Sequence, residues 1–262
     1  LHLLSRRQRQ MCIRDRVSAQ LVVMLVMMVG VFRSKKEENV LKGIRLFEPF
    51  SKEELGNICK IGGPTAIQGM VYCMISMVLT RMVAAFGAEA IATQRVGGQI
   101  ESVSWNTADG FAAALNAFVG QNYGAKKMDR VQKGYRISFW TVAIWGALIM
   151  LAFIIFPGPI AGVFFHEEKA MEIAISYLII IGFSEAFMCV ELMTIGALSG
   201  LGKTKLCSVI SITATSMRIP LAMVLSRTSL GLDGIWWALT LTSVAKGIIF
   251  YLTFRYQMRE KC

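Results

Sequence analysis

Glu101 and Asp109 stand eight residues apart, about two helical turns, in a stretch from Ala88 to Lys127 that is otherwise rich in Ala, Val, Ile, Phe and Gly. At about 100° per residue, Gln94, Glu101, Trp105, Asp109 and Asn116 fall within an arc of roughly 80°. The pattern predicts a long apolar helix with one polar stripe. Two carboxylates at bilayer depth are costly, so each is expected to face protein or a water-filled cavity and to serve function. A carboxyl withdrawn from water can exchange a proton near neutral pH, and when ionised it draws cations. Trp105 lies beside the acids, where an aromatic face could stack on a planar cation. Structural pairing with Arg81 or Arg95 is the competing expectation.

Further ionisable groups lie in later apolar runs. Glu185 and Glu191 are six residues apart, about 240° around a helix, and cannot share a face. Arg218 precedes Pro220, which frees a backbone carbonyl and permits bending. Arg218 needs an acid or a carbonyl, and Glu191 is the expected partner. Arg218 and Glu185 are assigned to structural ion pairing, whereas Glu191 joins Glu101 and Asp109 as an ion or substrate ligand. Gln68 and Tyr72 add polar groups to the preceding apolar run, with interhelical hydrogen bonding as the alternative role for Gln68.

These residues need apolar helices to hold them. The chain has 262 residues, 55 % hydrophobic and 17 % charged, with mean hydropathy +0.53. A soluble domain carries nearer a quarter charged residues, so the class is all-α polytopic membrane protein. The expected fold is a six-helix transmembrane bundle with a truncated preceding helix. Six runs approach the ~20 residues that span a bilayer: about Ile61–Phe86, Ala88–Phe118, Ile137–Phe156, Ile173–Leu201, Leu206–Leu225 and Gly234–Phe254. Pro64 lies near the start of the first, Pro157-Gly-Pro159 ends the third, and Trp236 and Trp237 open the sixth as interfacial anchors.

Residues 1–16 do not fit the apolar pattern of the rest of the chain. They read as a non-native or unstructured leader, because MCIRDR resembles translated sequencing-adapter read-through. Residues 17–32 read as the end of a truncated transmembrane helix, so the chain is expected to be a fragment. Residues 33–60 form a polar linker in which Ser51-Lys-Glu-Glu54 is a capping-box pattern; residues 61–262 form the six-helix lobe. Loops on one side of this arrangement hold seventeen Lys and Arg against two on the other. That bias makes the linker and C-terminus cytoplasmic, and the protein multi-pass in the plasma membrane.

Net charge is +11, but the basic residues sit between apolar runs. Lipid headgroups explain them better than nucleic acid, which is not expected as a partner. Six cysteines without CxxC and two distant histidines give no metal spacing. No catalytic residues, metal or cofactor are expected. Ala197 to Thr204 matches a relaxed Walker A pattern, but it joins two apolar helices and reads as a tight cytoplasmic turn.

Gly120-Gln-Asn-Tyr-Gly-Ala125, Arg95-Val-Gly-Gly-Gln-Ile100 and Gly196-Ala-Leu-Ser-Gly-Leu-Gly-Lys-Thr204, placed on this span pattern, resemble the multidrug and toxic compound extrusion (MATE) transporters from about Ile61 to Arg255. The resemblance implies the C-terminal lobe of a two-lobe antiporter. Such a protein exports cationic or amphipathic drugs in exchange for Na⁺ or H⁺, with the missing N-terminal lobe and membrane lipids as partners. It also implies an acidic cation ligand in the fourth span. The usual Asp position holds Met188 here, and Glu191 lies three residues further on. Some members carry a Glu in the first span, where this chain offers only Gln68, Tyr72, Ser76, Thr80 and Arg81. Two alternatives stand beside this reading: a lipid-linked sugar flippase of the wider superfamily, whose cavity should be basic, and an inactive fragment that needs its other lobe.

Overall fold

The computed structural model describes residues 17–30 and 51–259. The proposed leader, most of the linker and the last three residues lie outside the described residues. The chain divides into two compact units, Leu1–Glu54 and Leu55–Cys262.

In the first unit, α1 (Val17–Gly30) is a short apolar helix. The capping box at Ser51 forms as expected. The Glu54 amide donates to Ser51 Oγ at 3.3 Å and the Ser51 amide to Glu54 Oε2 at 3.4 Å, which opens α2 (Lys52–Ala84). The helix therefore starts earlier than Ile61 and runs through Pro64, which sits inside it.

The second unit continues with α3 (Ala88–Gly124), α4 (Met128–Ile155), α5 (Pro157–Gly162), α6 (Glu168–Gly182), α7 (Glu185–Gly200), α8 (Thr204–Ser216), α9 (Arg218–Leu225) and α10 (Gly231–Arg259). No strand occurs among the described residues. The basic segments expected as loops are largely helical: α3 runs through most of the GQNYGA string, and α4 already includes Arg130, Lys133 and Arg136.

Two of the expected spans are broken. The fourth divides into α6 and α7, bent by 50° at Phe183 and Ser184. Around this elbow the carbonyls find other partners: Thr240 Oγ1 donates to the Ile180 carbonyl at 2.8 Å, and Ser184 Oγ to that of Ile181 at 2.9 Å. The fifth divides at Met217 into α8 and α9, because Pro220 cannot donate to the carbonyl four residues before it. Pro157 does not merely stop α4; it opens the short helix α5, where a missing N–H costs least. By length and hydropathy alone, four described segments qualify as spans (α2, α4, α8 with α9 taken as one, and α10), or five with the bent α6–α7 pair taken as one. The 37-residue α3 is not among them, since it carries the polar stripe.

Helix α7 sits at the centre, packed on α3, α4 and α10. Gly196 and Gly200, four residues apart on α7, form its seam with α3. A Cβ at Gly196 would collide with the Ala112 backbone, and one at Gly200 would lie 2.6 Å from the Asn116 carbonyl oxygen. Small residues at this spacing let two helix backbones approach in a bilayer, where no hydrophobic force drives helices together. Cys189, Met193 and Leu198 of α7 pack with Leu115, Tyr135, Val142 and Phe250 in one core. Tyr177, Leu178 and Trp236 centre a second. Trp236 is fully buried, its ring edge-on to Tyr177 at 5.0 Å, so it is not the interfacial anchor expected; α6 covers it. Helix α2 is mostly exposed and joins the bundle through Ile75, Leu79 and Val83, which meet Ala222, Ile235 and Ala238.

Candidate functional site

Polar residues from several helices meet in one half-open cavity. Its inner part, about 340 Å³, is lined by α2, α3, α7, α8, α9 and α10. Its other part, about 240 Å³, reaches Tyr177 of α6. Tyr72, Glu101, Trp105, Thr215 and Arg218 line both.

Helix α3 supplies Gln94, Gly98, Glu101 and Trp105 over three turns. Glu101 Oε1 accepts a hydrogen bond from the Tyr177 hydroxyl. Gly97 makes that bond possible, because a Cβ there would overlap the Tyr177 ring. Neither Arg81 nor Arg95 holds Glu101; both are exposed. Trp105 is 43 % exposed and Tyr72 53 %, and both rings line the opening. Gln68 lines the inner part. The Gln94 side-chain amide oxygen, Oε1, is buried without a hydrogen-bond partner.

Helix α7 supplies Glu191 from another wall. Lys246 Nζ of α10 donates to Glu191 Oε1 at 2.7 Å, with both side chains nearly buried. Glu191 is therefore not the partner of Arg218. Arg218 donates through Nε to Thr242 Oγ1 at 3.0 Å and through Nη2 to Ser243 Oγ at 2.8 Å. Two hydroxyls one residue apart on α10 meet its planar fork, while the ammonium one turn on takes the carboxylate. Nor does Glu185 pair with Arg218: it is fully buried just after the α6–α7 elbow, beside Ser104 of α3.

The cavity is thus balanced in charge rather than acidic, with Glu101 and Glu191 facing Arg218 and Lys246. Lys246 and Tyr177 were missed from sequence. Lys246 carried its own signal, an ammonium in the middle of the sixth span; an isolated tyrosine in an apolar run carries none. Asp109 and Asn116 share the angular stripe but line neither part of the cavity, and both are exposed. Asp109 is about 12 Å further along the axis than Glu101. Among the described residues no cluster of three His, Cys, Asp or Glu could hold a metal ion.

An all-α, multi-pass membrane protein with a polar cavity enclosed by broken helices is the class that this architecture defines. The family model MatE matches residues 64–224, and the chain belongs to that family. The probable multidrug resistance protein NorM of Thermotoga maritima is 28 % identical over 211 residues, 77 % of this chain and 45 % of that protein. The probable multidrug resistance protein YoeA of Bacillus subtilis is 24 % identical over 247 residues, 94 % of this chain and 53 % of its own length. The chain therefore spans about half the length of the curated relatives it matches. A MATE crystal structure in the straight conformation superposes with a TM-score of 0.80 at 19 % identity, covering 91 % of this chain and 54 % of that one. The fold is the same over one half of that molecule.

Proposed function

We propose that this chain is the C-terminal lobe of a secondary active antiporter that exports cationic or amphipathic organic compounds in exchange for Na⁺ or H⁺. One observation carries the reading. Glu101 faces an aromatic-flanked cavity and takes its hydrogen bond from a neutral phenol, while the Arg218 guanidinium in the same cavity is bonded to hydroxyls rather than to it. When ionised, such a carboxylate keeps its charge available to an organic cation stacked on Trp105 or Tyr72; when protonated, it lets the cation go. Gln68 and Gln94 add hydrogen-bonding capacity to the same walls. Glu191 meets a coupling ion only if that ion displaces Lys246. Asp109 and Asn116 serve the export path on the exposed face of α3, where a second lobe would close over them. No cofactor beyond the coupling ion is assigned.

The loop-charge bias supports residence in the plasma membrane with the linker and C-terminus cytoplasmic. The relatives' lengths support an N-terminal lobe as the required partner, and the chain alone is proposed to be inactive.

The test uses the full-length parent in a drug-sensitive host. Resistance and ion-dependent dye movement in everted vesicles are expected, and Glu101→Gln should abolish both. A parent that confers neither would defeat the export reading. A second reading has its own support: the hydrogen bonds of Arg218 go to hydroxyls and its guanidinium lines the cavity wall, as a flippase for lipid-linked sugars would need for a pyrophosphate. Lipid-linked sugar flipping by the reconstituted parent, abolished by Arg218→Gln, would favour it.

A further inference from the structure

A second concavity shares no residue with the cavity described above. It is a groove of about 450 Å³ between α4 and α10, at the end of the bundle where the basic α3–α4 connection lies. Helices α2, α3, α7, α8 and α9 contribute nothing to it. Arg136 of α4 faces Arg255 and Arg259 of α10, which are one turn apart on one face. No carboxylate lines the groove among the described residues. Three guanidinium groups on one apolar wall repel one another unless an anion lies between them.

Below the arginines the groove is aromatic. Tyr135 stacks on Phe254 with centroids 3.6 Å apart, and Phe139 meets Tyr251 at 5.2 Å. The Tyr135 hydroxyl is tied to Thr194 Oγ1 at 3.0 Å, which anchors this floor to α7. Arg255 lies over the Tyr251 ring at 5.9 Å, so its planar fork is already oriented. Trp140 forms the outer lip and is 60 % exposed. Along the helix axis Arg259 lies at the end, Tyr135 and Phe254 are level with Arg136 and Arg255, and Phe139, Trp140 and Tyr251 lie further towards the middle of the span. That order matches a phosphodiester headgroup followed by glycerol and the first part of an acyl chain. A soluble anion would use only the first half of the site. Guanidinium groups suit phosphate because they bond it bidentately and give up water more easily than ammonium does.

We propose that the α4–α10 groove is a binding site for one anionic phospholipid. Its phosphate is held by Arg136, Arg255 and Arg259, and an acyl chain runs over Phe139, Tyr251 and Trp140. Basic pockets between membrane helices take anionic headgroups by this logic. The site does not depend on the transport reading.

The test is native mass spectrometry of the purified full chain in detergent, titrated with dioleoylphosphatidylglycerol or dioleoylphosphatidylcholine. One phosphatidylglycerol adduct should form well before any phosphatidylcholine adduct. Changing all three arginines to Gln should weaken it about a hundredfold, roughly fivefold for each arginine. If the triple variant does not fold, the three single variants each carry the fivefold expectation. Arg130→Gln with Lys133→Gln removes two cations from the same end of α4 but outside the groove, and should leave the adduct unchanged. Three outcomes would overturn the proposal: equal retention of phosphatidylcholine, equal loss in the Arg130 and Lys133 control, or displacement of the lipid by glycerol 3-phosphate at comparable concentration. The last would identify a soluble-anion site instead.

Discussion

Glu101 and Glu191 look into the same cavity from two walls that are built differently. On the α7–α10 wall a carboxylate and an ammonium neutralise one another behind a close-packed core. On the α3–α6 wall a carboxyl is hydrogen-bonded to a phenol, with the Arg218 guanidinium nearby but bonded to hydroxyls, and its flank is open past Trp105 and Tyr72. The first arrangement resists change, because separating two nearly buried charges leaves each unpaired in a medium that solvates neither. The second tolerates change, because a phenol can bond the carboxyl whether it is charged or neutral. A wall that holds its charge and a wall that can exchange it are different devices, although both read as one acid in an apolar helix.

The contrast can be broken most severely at Lys246. Lys246→Met should leave Glu191 buried without a counter-charge and cost about 3 kcal/mol or more. Adding Glu191→Leu should recover most of that loss, as judged by unfolding midpoints in detergent. If the double variant is as unstable as the single, the pair is not what matters on that wall. Next in size is the helix seam. Gly196→Ala drives a methyl into the Ala112 backbone and should cost about 2–3 kcal/mol, because no flexible side chain can yield there. Gly97→Ala sharpens the comparison from the other wall. Its methyl meets the Tyr177 ring, which can swing aside at a cost of about 1–2 kcal/mol but must then release Glu101. A change in tyrosine ultraviolet absorbance with little loss of stability would report that. Tyr177→Phe should be milder still, about 1 kcal/mol. Asp109→Asn, outside the cavity, should leave the unfolding midpoint where it was.

The helices were legible because apolar runs of spanning length are hard to mistake, and the capping box at Ser51 opens its helix where its pattern says. The polar stripe on α3 was half legible. A helical wheel gives the angle of a side chain but not its depth, so Glu101 and Trp105 came together in the cavity while Asp109 and Asn116, at the same angle, lie outside it. The partners of Arg218 were not legible. Charge alone points a guanidinium to an acid, but the two hydroxyls at Thr242 and Ser243 are set by how α9 crosses α10. The elbow between α6 and α7 was hidden for a related reason: no proline marks it, and the carbonyls it disturbs are taken up by Thr240 and Ser184. The burial of Trp236 depended on α6 covering it, which no local pattern encodes.

Helix α2 is fastened to the bundle towards its C-terminal end, by Val71, Ile75, Leu79, Met82 and Val83, while Gln68 and Tyr72 border the cavity. A beam clamped at one end deflects cheaply at the other. A tilt of α2 about that clamp would change the opening beside Glu101 and leave the core around α7 in place.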